Sequence, residues 1–278
     1  MTSDTGFLEL CELASRTAAD VIEDMVGSSD AYGTVYMGAD GTPTKKIDAA
    51  AEDAILSVLK DDGRSMRLLS EEAGDIFVGE RGDEYGKEAE PEFSVILDPL
   101  DGTYNAAFGI PFYGVSIAIA KPDLSGTSFG YVKNLADGAV YHAESGMGAF
   151  LNNDPISPSG NSDIHDLCIS VYGYRPYVER TAGLYKAARR IRILGSVALE
   201  LCYVASGRMD AFIDVRRALR LTDVAAGNFI VEEAGGMVTN GLGASLKLPD
   251  GFMNRVDLIA SNGYAHMDIL ALISRGEI

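Results

Sequence analysis

Residues 94–105 read Ser94-Val95-Ile96-Leu97-Asp98-Pro99-Leu100-Asp101-Gly102-Thr103-Tyr104-Asn105. A short apolar run rich in branched side chains, ending on a carboxylate, predicts a buried strand over 94–97 with acidic groups at its mouth. Pro99 and Gly102 are expected to end that strand. Asp98 and Asp101 stand three residues apart; the proline restricts the backbone between them and the glycine permits a sharp turn, so the two carboxylates can converge. A converging pair suits a hard cation, because magnesium takes oxygen ligands in near-octahedral array and keeps several waters. The Leu100 carbonyl is a further candidate ligand. Gly102-Thr103 then opens a short helix, whose free N–H groups can hold phosphate oxygens beside the Thr103 hydroxyl. An isolated Asp-Gly is more simply a turn with Asp101 as a helix cap, so the wider pattern decides between the two.

Outward from this stretch the chain alternates. Residues 5–26 carry apolar side chains at helical spacing (Phe7, Leu10, Leu13, Ala14, Ala18, Val21, Met25), and 48–60 read as a second amphipathic helix. A strand over 66–70 runs into Glu71-Glu72, a second place where acidic groups meet a strand end. Strands are expected over 113–120 and 130–133, with a hairpin turn at Asp137-Gly138 leading to a strand containing Tyr141. The second half predicts strands at 167–172, 211–215 and 257–260, and helices at 178–190, 198–205, 223–234 and near 264–274. Gly235-Gly236 is a helix stop. The segment 82–91 reads as an exposed loop, and 155–161 as a joint between an N-terminal α+β lobe, 1–155, and a C-terminal α/β lobe, 156–278.

The 278 residues suffice for two lobes around a shared cleft, with 47% hydrophobic and 23% charged residues, ordinary globular proportions. No apolar run reaches the roughly 18 residues of a membrane span, and the N-terminus has no basic leader before an apolar block. Cys11, Cys168 and Cys202 are odd in number and embedded in apolar patterns, which predicts reduced thiols in a cytoplasmic protein. His142, His165 and His266 are scattered without zinc-like spacing. A net charge of -18 excludes broad attraction to nucleic acid or anionic membranes. An anionic substrate could then enter only with help from bound divalent cations.

The stretch Asp98-Pro-Leu-Asp-Gly-Thr-Tyr-Asn105 resembles the signature of the inositol monophosphatase superfamily, which includes fructose-1,6-bisphosphatases. The resemblance extends to Lys46-Ile47-Asp48, to Ser70-Glu71-Glu72-Ala73-Gly74 and to Leu221-Thr222-Asp223-Val224-Ala225-Ala226-Gly227, in order and separation over most of the chain. Thr222 stands where the family usually has tryptophan. The match looks closest to archaeal members with both inositol monophosphatase and fructose bisphosphatase activity.

This resemblance implies a layered α-β-α-β-α sandwich of mixed and antiparallel sheets, the sugar phosphatase fold. It implies that Glu71, Asp98, Asp101, Asp223 and the Leu100 carbonyl ligate roughly two or three magnesium ions. Asp48, Thr103 and Glu71 would serve catalysis. Gly102, Thr103, Gly195, Ser196 and Asp214 would line the substrate, with Tyr174 and Arg175 as further contacts. The interval between Asp214 and Asp223 is longer than in the inositol monophosphatase pattern and contains Arg216, Arg217 and Arg220. The expected activity is magnesium-dependent hydrolysis of inositol 1-phosphate, fructose 1,6-bisphosphate or both, by a homodimer with a small phosphorylated polyol or sugar as substrate. Two readings compete: a phosphatase of the haloacid dehalogenase type, with an aspartate nucleophile, and a regulatory protein that keeps the fold without catalysis. Glu72 is an alternative to Glu71, and Asp48 an alternative helix N-cap.

Overall fold

The computed structural model describes residues 5–39, 41–79, 90–246 and 254–273. The loop expected over 82–91 lies, as far as residue 89, outside the described residues, as does residue 274 of the last predicted helix. In chain order the elements are α1 (Thr5–Ile22), β1 (Thr34–Met37), β2 (Pro43–Lys45), α2 (Lys46–Asp61), β3 (Met66–Ser70), β4 (Gly74–Val78), β5 (Phe93–Asp101), α3 (Thr103–Ala107), β6 (Gly114–Ala120), β7 (Thr127–Asn134), β8 (Val140–Glu144), β9 (Gly148–Leu151) and β10 (Asp154–Pro155). The second half adds β11 (Cys168–Tyr172), α4 (Val178–Ala187), β12 (Arg190–Arg192), α5 (Val197–Ala205), β13 (Ala211–Leu219), α6 (Leu221–Glu233), β14 (Met237–Thr239), β15 (Val256–Ser261) and α7 (His266–Leu272).

Side-chain alternation along the strands builds the layers. In the large sheet, ordered β10-β9-β8-β7-β6-β5-β3-β4, Leu68, Val95, Leu97, Val115, Ile117 and Ile119 point to one face and pack against α1 and α2. Their neighbours Leu69, Ile96, Ala118 and Val132 point to the other face and meet α5 and α6. The same two helices cover one side of the second sheet, ordered β12-β11-β13-β15-β14, through Phe212, Leu258 and Ala260. Ile169, Val171, Ile213 and Ile259 fill its far side against Leu184 of α4 and Ile269 of α7. The result is five layers, α-β-α-β-α, the architecture expected from the resemblance. Because α5 and α6 are covered on both sides, they read as nearly continuous apolar sequence with little amphipathic stripe.

Several boundaries differ from the sequence reading: β7 spans Thr127–Asn134 instead of 130–133, β13 runs on to Leu219 instead of stopping at 215, and three others differ as follows. β5 continues through Pro99 to Asp101 instead of stopping at Leu97: its pairing with β6 breaks register between Asp98 and Asp101, so no ladder bond is demanded of the proline. α4 ends at Ala187, and Arg190–Arg192 instead forms a parallel edge strand beside β11. α1 ends at Ile22 and tightens into a 3-10 turn over Glu23–Met25. Among the described residues, no helix is long and apolar enough to cross a membrane. Cys11, Cys168 and Cys202 are free thiols.

Candidate active site

β3 and β5 are parallel neighbours in the large sheet, with Ser70 opposite Leu97. Their C-terminal ends therefore lie side by side and deliver Glu71 and Asp98 to the same edge. Asp223 arrives from the other half of the chain, in the first turn of α6. Ligand oxygens of Glu71, Asp98 and Asp223 all lie within 4.8 Å of one another. Asp98 is 1% exposed; its Oδ1 accepts the Leu100 N–H at 3.1 Å, and its Oδ2 is buried with no hydrogen-bond partner. Asp48 has the same character: its Oδ2 accepts the Lys45 N–H at 3.3 Å, while Oδ1 is buried without a partner. Asp48 thus occupies the third position of α2, not its N-cap.

Buried carboxylate oxygens left unpaired are costly unless a cation or proton meets them. Burial pushes Asp48 up to about 7, with Glu72 adding to the shift and Thr103 and Lys45 opposing it. Asp98 is raised well above the ordinary carboxylate range, first by burial and then by the charges of Asp101 and Asp223. Asp101 is raised to about 7 by burial and by Asp223. Converging hard oxygen donors, among which Asp48, Asp98 and Asp101 resist ionisation by themselves, fit a divalent ion of the magnesium type.

Asp101 stands beside this cluster with one oxygen already engaged. Its Oδ2 accepts the Ser196 hydroxyl at 2.8 Å and the Ala198 N–H at 2.6 Å, at the start of α5. Ser196 also accepts the Leu199 N–H at 3.4 Å as the N-cap of that helix. The Thr103 hydroxyl lies between the Asp48 carboxylate and the Leu100 carbonyl, which it reaches at 3.2 Å. Gly102 precedes α3 with φ +95, and a Cβ there would meet the Phe112 carbonyl at 3.0 Å, so a side chain is excluded on two grounds. Gly195, at φ +92, sits 3.0 Å from the Asn105 amide by the same measure. Asn105 in turn donates to the carbonyls of Phe112 and Leu194, both at 2.7 Å, and so ties the β5–α3 turn to the segment before α5.

The other predicted substrate residues come from β13 and from the segment after β11. Asp214 is fully buried, and Arg216 occupies its carboxylate from two sides, with Nη2 on Oδ2 at 2.5 Å and Nε on Oδ1 at 3.0 Å. The Arg216 guanidinium stacks over the rings of Tyr172 and Tyr174, at 5.0 and 4.4 Å. Tyr174 and Arg175 are exposed. Asp214, expected to line the substrate, is thus paired with Arg216. The cue was Asp-Val-Arg at alternate strand positions, which share one face.

Sequence reasoning also missed a supporting shell. Glu52 of α2 accepts the Ser70 hydroxyl and the Ala73 N–H, framing the turn that carries Glu71. Glu72 is buried and accepts the Thr44 hydroxyl, which separates its role from that of the more exposed Glu71. Buried Glu200 accepts the Leu194 N–H at 2.5 Å and the Ser170 hydroxyl at 3.0 Å, and burial raises it to about 7. Arg220 reaches both Glu71 and Asp223. Arg220–Asp223 is a local i,i+3 pair at the start of α6; the other contacts join segments further apart in the chain or depend on burial.

Comparisons with known proteins show which family the chain resembles. The profile of the inositol monophosphatase family matches residues 7–276. A fructose-1,6-bisphosphatase/inositol-1-monophosphatase of Methanothermobacter thermautotrophicus is 45% identical over 262 residues, 90% of each chain. A bifunctional NADP phosphatase/NAD kinase of Methanococcus maripaludis is 34% identical over 95% of this chain and 49% of that longer protein. A solved structure from Pyrococcus horikoshii, described as having similarities to inositol-1 monophosphatase, superposes with a TM-score of 0.81 at 29% identity, covering 97% of this chain and 99% of that one.

Proposed function

The chain belongs to the inositol monophosphatase family, and from that premise we propose that it hydrolyses small phosphate monoesters with magnesium held by the acidic cluster. The observation that carries the proposal is the convergence of Glu71, Asp98 and Asp223 within 4.8 Å, with Asp98 Oδ2 buried and unpaired. Glu71, Asp98, Asp223, the second oxygen of Asp101 and the Leu100 carbonyl would hold the ions. When bound, the ions supply the Lewis acidity and positive charge that phosphoryl transfer to water requires.

The protein's own groups do the rest. Asp48 and Thr103 hold and orient the attacking water, Asp48 as the acceptor of its proton, for which a pKa of about 7 is well matched. Gly102 keeps the turn free of a side chain so that the phosphate can approach the backbone of residues 102–103. Ser196 fixes Asp101, and the α5 N-terminus with Gly195 forms the opposite wall. We read 1–155, which holds the eight-stranded sheet, and 156–278, which holds the five-stranded one, as two lobes, the first supplying Asp48, Glu71, Asp98, Asp101 and Thr103 and the second Ser196, Asp214 and Asp223.

Candidate substrates are inositol 1-phosphate and fructose 1,6-bisphosphate, with NADP added by the relatives that dephosphorylate it. We read the protein as cytoplasmic, from its free cysteines, and as a homodimer, from the exposed rings of Tyr104 and Phe108 against Tyr32; sedimentation as a monomer would overturn the latter reading. The test of function is phosphate release from these three substrates, with and without magnesium, by wild type and Asp98→Asn. Magnesium-dependent release is expected from at least one substrate, falling on the order of 100- to 1000-fold in the variant. Release without a divalent ion, or an aspartyl-phosphate trapped on the protein, would sink the mechanism.

A further inference from the structure

Arg220 is the residue whose position asks most of the chemistry. It stands at the N-cap of α6, three residues before Asp223. Its backbone N–H donates to Asp223 Oδ2 at 2.7 Å, and its side-chain Nε donates to Oδ1 at 2.9 Å, so both oxygens of that carboxylate face Arg220. Its Nη1 donates to Glu71 Oε1. One guanidinium therefore bridges two of the three carboxylates gathered here, one from the β3–β4 turn and one from α6. The pairing is partly buried: the three side chains are 23%, 15% and 8% exposed for Arg220, Glu71 and Asp223.

A guanidinium and a divalent ion place different demands on the same oxygens. The fork is planar and monovalent and binds carboxylates from about 2.8 Å, whereas magnesium needs the lone pairs directly, at roughly 2.0–2.1 Å. An ion coordinated by Asp223 and Glu71 would stand within contact distance of the guanidinium that now engages both. Like charges so close in a partly desolvated cleft repel, and the oxygens cannot serve both at full strength.

We infer that Arg220 is an internal counter-cation that competes with divalent ions for Glu71 and Asp223, and that metal binding displaces its guanidinium from at least one of them. The inference rests on the metal-site reading above and adds a residue that sets the affinity of that site. It has two consequences. Arg220 holds the acidic cluster together when divalent ions are scarce, and it weakens their binding by the strength of the pairing they must break. Metal occupancy is thereby tuned to respond to ion concentration instead of saturating at trace levels.

The experiment compares wild type, R220Q and R220K. Magnesium affinity is measured by isothermal titration calorimetry, and melting temperature is measured in chelator and in saturating magnesium. R220Q is expected to bind magnesium on the order of tenfold more tightly, the loss of a charge-assisted pair. Its melting temperature in chelator should fall by roughly 2–6 °C, and the gap should close in magnesium. R220K keeps the charge without the fork and should fall between the two. R220Q affinity equal to or weaker than wild type, or an R220K indistinguishable from wild type in both readouts, overturns the inference while leaving the metal site intact. A wild type that binds no magnesium overturns the metal-site reading itself. A measurement on the unmodified protein guards against a variant that does not fold: the Arg220 Nε–H resonance, followed during magnesium titration, should shift at saturation, and an unmoved signal is equally fatal to the inference.

Discussion

The Ser196 hydroxyl donates to Asp101 Oδ2 at 2.8 Å across 95 residues of sequence. This bond joins the strand that carries the acidic motif to the helix layer between the two sheets. Because Ser196 is also the N-cap of α5, one side chain both orients a candidate metal ligand and starts the helix that buries Leu199, Leu201 and Cys202. The neighbouring Ala198 N–H, at 2.6 Å from the same oxygen, adds the positive end of the α5 backbone to that hold.

Ser196→Ala is accordingly expected to destabilise the fold by about 1–3 kcal/mol, from the lost cap and from a buried carboxylate deprived of a donor. Urea unfolding monitored by circular dichroism checks this. A midpoint equal to that of wild type would show that the Ala198 N–H alone suffices.

The buried carboxylates predict an unusual dependence of stability on pH. Asp48 and Asp101 have folded-state values of about 7, and Asp98 is raised as well, all above the unfolded value of about 3.9. Between these limits the folded chain keeps protons that the unfolded chain has lost. Their contribution to stability is therefore full below roughly pH 4 and is lost as pH rises through about 7. In chelator, the melting temperature should be higher at pH 5.5 than at pH 8, and magnesium should restore much of the difference at pH 8. Calorimetry showing the opposite slope in chelator would contradict the burial argument.

Glu52 holds the Ser70 hydroxyl and the Ala73 N–H on either side of Glu71. Removing that support should leave Glu71 present but less well aimed. Glu52→Ala is expected to raise the magnesium concentration for half-maximal activity by about 10- to 100-fold, the usual range for partners that orient a ligand. Far less effect on kcat at saturating magnesium should accompany it. A loss of kcat with unchanged magnesium dependence would point to a different role.

Arg216 and Asp214 form a pair that is 11% and 0% exposed. Arg216→Ala leaves an unpaired buried carboxylate and should destabilise the protein by about 3–5 kcal/mol, whereas replacing both residues by apolar ones of similar volume should recover much of that loss. Thermal melts of R216A, D214L and the double variant R216M/D214L measure the coupling. Additive losses would mean that the pair is held apart by forces other than its charge.

What the sequence determined unaided is local or periodic. Alternation in Val95-Ile96-Leu97 and Ile117-Ala118-Ile119 sorted side chains to two faces, and Asp98-Pro99-Leu100-Asp101-Gly102-Thr103 announced a turn able to gather carboxylates. Those features depend only on neighbours a few residues apart, so they survive in one dimension. Tertiary structure alone decided the rest: that β5 runs on through Pro99 because β6 breaks register there, that Asp101 turns to Ser196, that Arg216 stands over Asp214, and that Arg220 bridges Glu71 to Asp223. Each of these depends on burial or on a donor reaching a particular carboxylate in three dimensions. The strength of such contacts comes from desolvation, which only a folded interior supplies.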